Sequence, residues 1–73
     1  MSDAHKTYFD EMRAALKAAN EHREHLLAAL NAAQRPDGAK WAQHCINRAD
    51  DAINAVDDHV DKAWNALEQL TRD

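Results

Sequence analysis

The sequence predicts an all-α protein, an antiparallel hairpin of two long helices that pairs with a second copy into a four-helix bundle. Three observations predict this fold. Glycine and proline occur once each, and both lie in Arg35-Pro36-Asp37-Gly38. The rest of the chain is rich in Ala, Leu, Glu, Lys, Arg and Gln, which are good helix formers. Apolar side chains recur every three to four positions on both sides of that corner.

The corner divides a single domain, 1–73, into two helices. Helix 1 is predicted over about 3–34, the turn over 35–38 and helix 2 over about 38–71. Proline disfavours helical backbone at Arg35, and Pro-Asp-Gly is a strong turn signal. The side chain of Asp37 is the expected N-cap of helix 2. Because the turn is short, the two helices must be antiparallel neighbours.

Each helix carries an apolar stripe two residues wide, flanked by a third row. The rows of helix 1 are His5, Met12, Ala19, Leu26, Ala33 and Phe9, Leu16, Arg23, Leu30, flanked by Tyr8, Ala15, His22, Ala29. The rows of helix 2 are Ala42, Ala49, Val56, Ala63, Leu70 and Ile46, Ile53, Val60, Leu67, flanked by Cys45, Ala52, His59, Ala66. Facing residues are predicted to have numbers that sum to 72 or 73, which pairs Met12 with Val60 and Leu26 with Ile46.

Self-association follows from how little one hairpin can bury. Sixteen of the thirty-three apolar residues are alanine, so only seventeen larger apolar side chains remain. A core this small rarely supplies more than ~3–5 kcal/mol. Cys45 is the only cysteine, which excludes an internal disulfide and a zinc site of the usual spacing. We therefore expect a homodimer, with Cys45 as a small buried filler.

The net charge of −4 comes entirely from the second half of the chain. An acidic band is predicted on the outer face of helix 2, formed by Asp50, Asp57, Asp58, Asp61 and Glu68. Such a band either keeps an alanine-rich bundle in solution or docks onto a basic groove of another protein. The N-terminus lacks a signal-peptide pattern, and no segment reaches the ~20 apolar residues of a membrane span, so a cytoplasmic protein without a membrane partner is expected.

Helix 1 carries a smaller stripe of opposite character. Lys6, Arg13, Lys17 and Asn20 share one side of the helix. A dimer that placed two such stripes on one surface could follow RNA phosphates. Asp10 and Glu24 interrupt the stripe and the chain is acidic overall, so RNA binding is the alternative to protein binding.

The hairpin architecture and the segment Asp58-His59-Val60-Asp61-Lys62-Ala63-Trp64 resemble the repressor-of-primer (Rop) proteins. The resemblance implies an antiparallel dimeric four-helix bundle that binds paired RNA loops through its first helices. It covers the architecture and seven residues, and the long acidic band and sparse helix-1 cations depart from it. Small phage-encoded hairpins that inhibit host regulators are similar in size and alanine content.

The aromatic residues are the predicted anchors of a partner protein. Trp64 is expected near Tyr8 and Phe9 at the open end of the hairpin, Trp41 beside the turn, and Leu27 next to the apolar stripe. Tryptophan and tyrosine are enriched among the residues that dominate interface energies. The alternative interpretation is that both tryptophans line the edge of the dimer core.

Arg23 interrupts the apolar stripe, and an ion pair with Asp50 is the expected explanation, with a carboxylate of another protein as the alternative. The five histidines do not have the spacing of a specific metal site, and no nucleophile, base or phosphate-binding loop occurs together. No cofactor and no enzymatic activity are therefore expected. The predicted function is a homodimeric regulator that binds and inhibits or modulates a host protein, such as a transcription or signalling factor, as phage and mobile-element proteins do. A structural coiled-coil subunit is a further alternative.

Overall fold

The computed structural model describes residues 3–72 and confirms the helical hairpin. Helix α1 runs Asp3–Ala33 and helix α2 runs Ala39–Arg72, and the two pack against each other along their length. Residues 3–72 contain no β-strand. The observed helix bounds differ from the predicted ones by one residue at each end next to the turn and at the end of α2.

The turn is built on backbone hydrogen bonds around Gly38. The Gly38 amide donates to the Arg35 carbonyl at 3.1 Å, which closes a four-residue turn over Arg35-Pro36-Asp37-Gly38. The Gly38 carbonyl then accepts from the Ala42 amide at 2.8 Å, the first hydrogen bond of α2. Because the N-cap is the residue whose carbonyl accepts that first bond, the N-cap is Gly38. The prediction that Asp37 caps α2 was wrong by one residue.

Glycine is required at position 38 by steric contact. A Cβ placed on Gly38 would lie 1.8 Å from the carbonyl oxygen of Ala32 and 2.8 Å from its carbonyl carbon. Both are backbone atoms at the end of α1, so no side-chain rotation can relieve the clash. The missing side chain lets the start of α2 approach the end of α1 closely.

Gly38→Ala is therefore expected to destabilise the hairpin by about 2 kcal/mol or more, since the turn must open to admit the methyl group. Urea unfolding followed by circular dichroism measures the change. Asp37→Ala is the matched control in the same turn, because Asp37 is exposed, and it should change stability by less than about 0.5 kcal/mol. If Gly38→Ala were as stable as the parent chain, the turn would have space for a methyl group at position 38.

The contact between the helices is made of small side chains. We call this contact the alanine seam: Ala15, Ala18, Ala29 and Ala32 from α1, and Ala42, Cys45, Ala49, Ala52, Ala63 and Ala66 from α2. All ten are buried, and Ala49 is only 1% exposed. No side chain larger than cysteine is fully buried within residues 3–72. Small residues allow helix axes to approach closely, so the hairpin closes on its smallest side chains.

Two histidines cross the seam and fix its register. The Nδ1 of His22 lies 2.8 Å from the Ala49 carbonyl oxygen, and because a carbonyl only accepts, the imidazole donates from Nδ1. His59 Nδ1 lies 2.6 Å from a carboxylate oxygen of Glu11, a second link between the helices. The numbers of these pairs sum to 71 and 70, so the helices are offset by about two residues from the predicted pairing.

The predicted pairing of large apolar residues across the hairpin was wrong. Leu16 is 67% exposed, and Leu26, Ile46 and Val60 are all between 43% and 47% exposed. On helix 2 the seam does contain the alanines of the first predicted row, together with the flanking row of Cys45, Ala52 and Ala66. On helix 1 it contains the flanking row, with Ala15 and Ala29, and a further row with Ala18 and Ala32 that was not predicted. Since two helices cannot pack closely on both sets at once, the larger side chains are turned to one side.

Candidate protein-interaction surfaces

Large apolar side chains gather on one side of the hairpin, which we call the apolar face. It contains Phe9, Leu16, Leu26, Leu27 and Leu30 from α1, and Ile46, Ile53, Val60 and Trp64 from α2, all 36% exposed or more. On α2 these residues recur at intervals of seven and four. On α1 Phe9, Leu16 and Leu30 share one row, with Leu26 and Leu27 on either side of it, so each set lies on one side of its helix, away from the seam. In an antiparallel pair the two sides coincide. The result is an apolar strip along the hairpin, interrupted on α1 by the exposed Arg23. The chain as a whole measures 58 × 15 × 12 Å.

The opposite side of the hairpin is polar and grooved. One groove, of about 310 Å³, is lined by Asp3, Ala4, Thr7, Glu11, Lys62, Asn65, Ala66 and Gln69. A second, of about 540 Å³, is lined by Glu21, His25, His44, Asn47, Arg48, Asp51, Ala52 and Ala55. Neither lining includes a member of the apolar face. The hairpin therefore has two chemically distinct sides, which we call the apolar face and the polar side.

Trp41 is the large apolar residue that departs from this division. It is 60% exposed and lies beside a small groove of about 210 Å³ that Ala28, Asn31, Ala32 and Arg35 also line. Its ring packs against the His44 ring, with centroids 5.4 Å apart and planes tilted by 35°. The Nε of Arg48 donates to Nε2 of His44 at 3.1 Å. Trp41 is thus held by a short polar chain on the polar side, next to the turn.

Trp64 has a different environment, at the edge of the apolar face. It is 59% exposed, and its indole N–H donates to the Glu68 carboxylate at 2.8 Å. The Tyr8 and Phe9 rings pack edge to face with centroids 5.6 Å apart. Within residues 3–72 Trp64 makes no ring contact with either of them. Tyr8 and Phe9 therefore form a ring pair that does not include Trp64.

The expected ion pair between Arg23 and Asp50 does not form within the described chain. Both residues are exposed, and the ion pairs of residues 3–72 join His59 to Glu11 and Lys62 to Asp58. Asp50 directly follows the seam residue Ala49, and one helical step carries its side chain away from α1. Within one hairpin its carboxylate is therefore on the far side of α2 from Arg23.

The acidic band and the helix-1 stripe are both exposed. Asp50, Asp57, Asp61 and Glu68 project from α2, and Asp58 pairs with Lys62 at 3.3 Å one turn later. Lys6, Arg13, Lys17 and Asn20 are exposed along α1. The hairpin therefore has a more basic edge along α1 and an acidic edge along α2.

Sequence reasoning missed the contact of His59 with Glu11, although His59 was placed in a flanking row. The sequence did contain a signal that the flanking rows face the other helix. In both rows small residues and a histidine recur every seven positions, as in Ala15, His22 and Ala29. Cys45 was predicted to be a buried filler, and its 3% exposure confirms this.

Within residues 3–72 no group of three or more His, Cys, Asp or Glu side chains is arranged to hold a metal ion. Neither of the described helices has a segment long and apolar enough to cross a membrane. Comparison with family profiles, curated proteins and solved structures gave no match to this chain. The architecture is a two-helix hairpin, which is consistent with the resemblance to the Rop proteins, and these comparisons add no support for a family.

Proposed function

We propose that this protein is a non-enzymatic binding module that dimerises through its apolar face and docks onto one other protein through its polar side. One observation carries the proposal. The hairpin's own core consists of alanine and one cysteine, while nine larger apolar side chains are at least 36% exposed on one side. Soluble proteins rarely leave such a strip uncovered, and strips of this kind mark interaction sites.

A second copy of the chain is the proposed occupant of the apolar face. The face runs along a hairpin that measures 58 by 15 Å, so one side of the hairpin is large enough for the roughly 800 Å² that each partner of a standard interface covers. Two such faces packed together form a four-helix bundle in which Leu16, Ile53 and their neighbours become the core. The small side chains of the seam support this arrangement, since the hairpin alone buries little apolar surface.

Trp41 is the proposed anchor for the other protein. It lies on the polar side, so a dimer formed through the apolar face leaves it accessible on each copy. Its indole ring is set beside a groove and backed by His44 and Arg48, which reduces the freedom it would lose on binding. Trp64 and Phe9, by contrast, are assigned to the dimer interface. The partner proposed for this anchor is a host transcription or signalling factor, which the protein binds and inhibits or modulates in the cytoplasm.

Trp41→Ala is expected to abolish capture of the partner and leave the dimer intact. The chain is tagged, used to capture proteins from its native cells, and the bound proteins are identified by mass spectrometry. Loss of an anchor tryptophan typically costs 2 kcal/mol or more, which is about thirtyfold in affinity. Lys40→Ala, at the neighbouring exposed position, is the matched control and should retain the partner. Retention of the same partner by Trp41→Ala would contradict the assignment.

A further inference from the structure

The dimer proposed above can form in two symmetric ways, and the charges next to the apolar face distinguish them. On each helix one row borders the apolar face on the side away from the seam; we call it the outer row. It contains Lys6, Arg13 and Asn20 on α1, and Gln43, Asp50 and Asp57 on α2, and it ends at Leu27 and Trp64, the members of the apolar face that lie at its outer edge. In the proposed dimer the outer row flanks the apolar interface, as the e and g positions flank the core of a coiled coil, so long side chains in this row can reach a helix of the second copy.

The two arrangements differ in the direction of the two-fold axis. When the axis runs along the hairpin, both turns lie at the same end and α1 packs beside α2 of the second copy. When the axis runs across the hairpin, the turns lie at opposite ends, so that α1 packs beside α1 and α2 beside α2. All neighbouring helices are antiparallel in both arrangements, so helix direction alone does not choose between them.

With both turns at the same end, the two outer rows complement each other. Rotation about the long axis preserves height, so the two copies meet in the register found within the hairpin, where facing residues sum to 70 or 71. Arg13 then faces Asp57 of the second copy, and Asn20 faces Asp50 of the second copy. Lys6 faces the Trp64 ring, a cation–π geometry. Each contact occurs twice by symmetry.

With the turns at opposite ends, like charges meet. In the register closest to full overlap Asp50 faces Asp57 of the second copy, and Arg13 faces Asn20. One heptad away, Asp50 faces Asp50 and Arg13 faces Leu27. Neither register gives Arg13 a carboxylate, and both bring together aspartates on a chain that already carries a net charge of −4.

We propose that the dimer has both turns at the same end, with α1 of each copy packed beside α2 of the other; this rests on the proposed dimerisation. The arrangement also gives Arg23 a partner, since Asp50 of the second copy lies at the level of Asn20, about one turn from Arg23. It separates the two helix-1 stripes onto opposite flanks, each beside an acidic band. The paired first helices through which Rop-like proteins bind RNA are therefore not formed, and both copies of Trp41 lie near one end.

Spin labelling at the turn tests the arrangement directly. A single nitroxide is attached at position 37 of the full chain, using Asp37→Cys with Cys45→Ala to remove the native thiol, and the distance between copies is measured by pulsed dipolar spectroscopy. A distance below about 30 Å is expected, because packed helices lie roughly 8–10 Å apart and the labels add the rest. A distance approaching the 58 Å length of the hairpin would overturn the arrangement but keep the dimer. Absence of any distance between copies would overturn both.

Charge reversal provides an independent test, because the arrangement predicts the direction in which each variant changes the dimer affinity. Asp57→Lys and Arg13→Glu should each weaken the dimer on the order of tenfold, since two partly exposed pairs are lost at once. The double variant should recover most of the parent affinity, because the reversed pair is again complementary. Asp51→Lys, an equal charge change on the polar side, is the control and should leave dimerisation unchanged. Dimerisation that is unchanged or tighter in Asp57→Lys would contradict the arrangement.

Discussion

Ile53→Asp is expected to convert the dimer into separate hairpins at micromolar concentration. Ile53 lies near the middle of α2 on the apolar face, where the proposed dimer removes it from water. An unpaired buried carboxylate costs several kcal/mol, and the symmetric dimer would bury two. The dissociation constant of the dimer should therefore rise by about a thousandfold or more. Sedimentation velocity across a concentration series measures the shift.

Asn54→Asp is the matched control for this prediction. It adds the same charge at the next position of the same helix, which is exposed and points away from the apolar face. The dimer should persist with at most a few-fold loss of affinity, because an exposed charge contributes little. If Ile53→Asp sediments like the parent chain, the apolar face is not the dimer interface.

Ala49→Leu is expected to produce the second large effect, by forcing the alanine seam apart. Ala49 is 1% exposed, and its carbonyl accepts the hydrogen bond from His22. Added methyl groups have no space in a contact made of alanine, and overpacking typically costs 1–3 kcal/mol in each copy. Separation of the helices would also break the His22 contact, so a loss of about 3 kcal/mol per copy is expected. Urea unfolding of the parent and the variant measures it.

The control for the seam is Ala39→Leu, which makes the same chemical change at the exposed first residue of α2. Its stability should lie within about 0.5 kcal/mol of the parent chain. Were Ala49→Leu as stable as this control, the helices would not be packed through their small side chains.

The fold could be predicted because the local signals agree. The one proline and the one glycine lie within a single four-residue segment, and every other part of the chain favours helix. The bounds of both helices and the turn were therefore predicted to within one residue. The exception at the turn is the cap of α2, where the close approach of Gly38 to the Ala32 carbonyl makes glycine the N-cap. A sequence pattern gives no such backbone distance.

The orientation of the helices about their own axes could not be predicted from periodicity. Three adjacent rows on each helix are apolar or small, and periodicity alone does not show which of them faces the other helix. The pairing prediction placed rows of alternating small and large residues between the helices, whereas the observed seam contains only small side chains. The same rotation decides that Trp64 belongs to the apolar face and Trp41 to the polar side. It also places Asp50 beyond the reach of Arg23 in its own hairpin.

The rotation connects the fold to the proposed function. A hairpin that closed on leucine and isoleucine would be more stable alone and would present a polar exterior. This hairpin closes on alanine, so its larger apolar side chains remain available for intermolecular contact. Its stability and its binding capacity are therefore linked, since each copy depends on a partner to cover the apolar face.

Sedimentation equilibrium of the unmodified chain, combined with thermal unfolding at several concentrations, tests the central claim most directly. The account predicts a species of twice the 8.2 kDa chain mass, with a melting temperature that rises as the protein concentration rises. An 8.2 kDa monomer that unfolds cooperatively at a temperature independent of concentration would contradict it, because the apolar face would then be stable in water without a second copy.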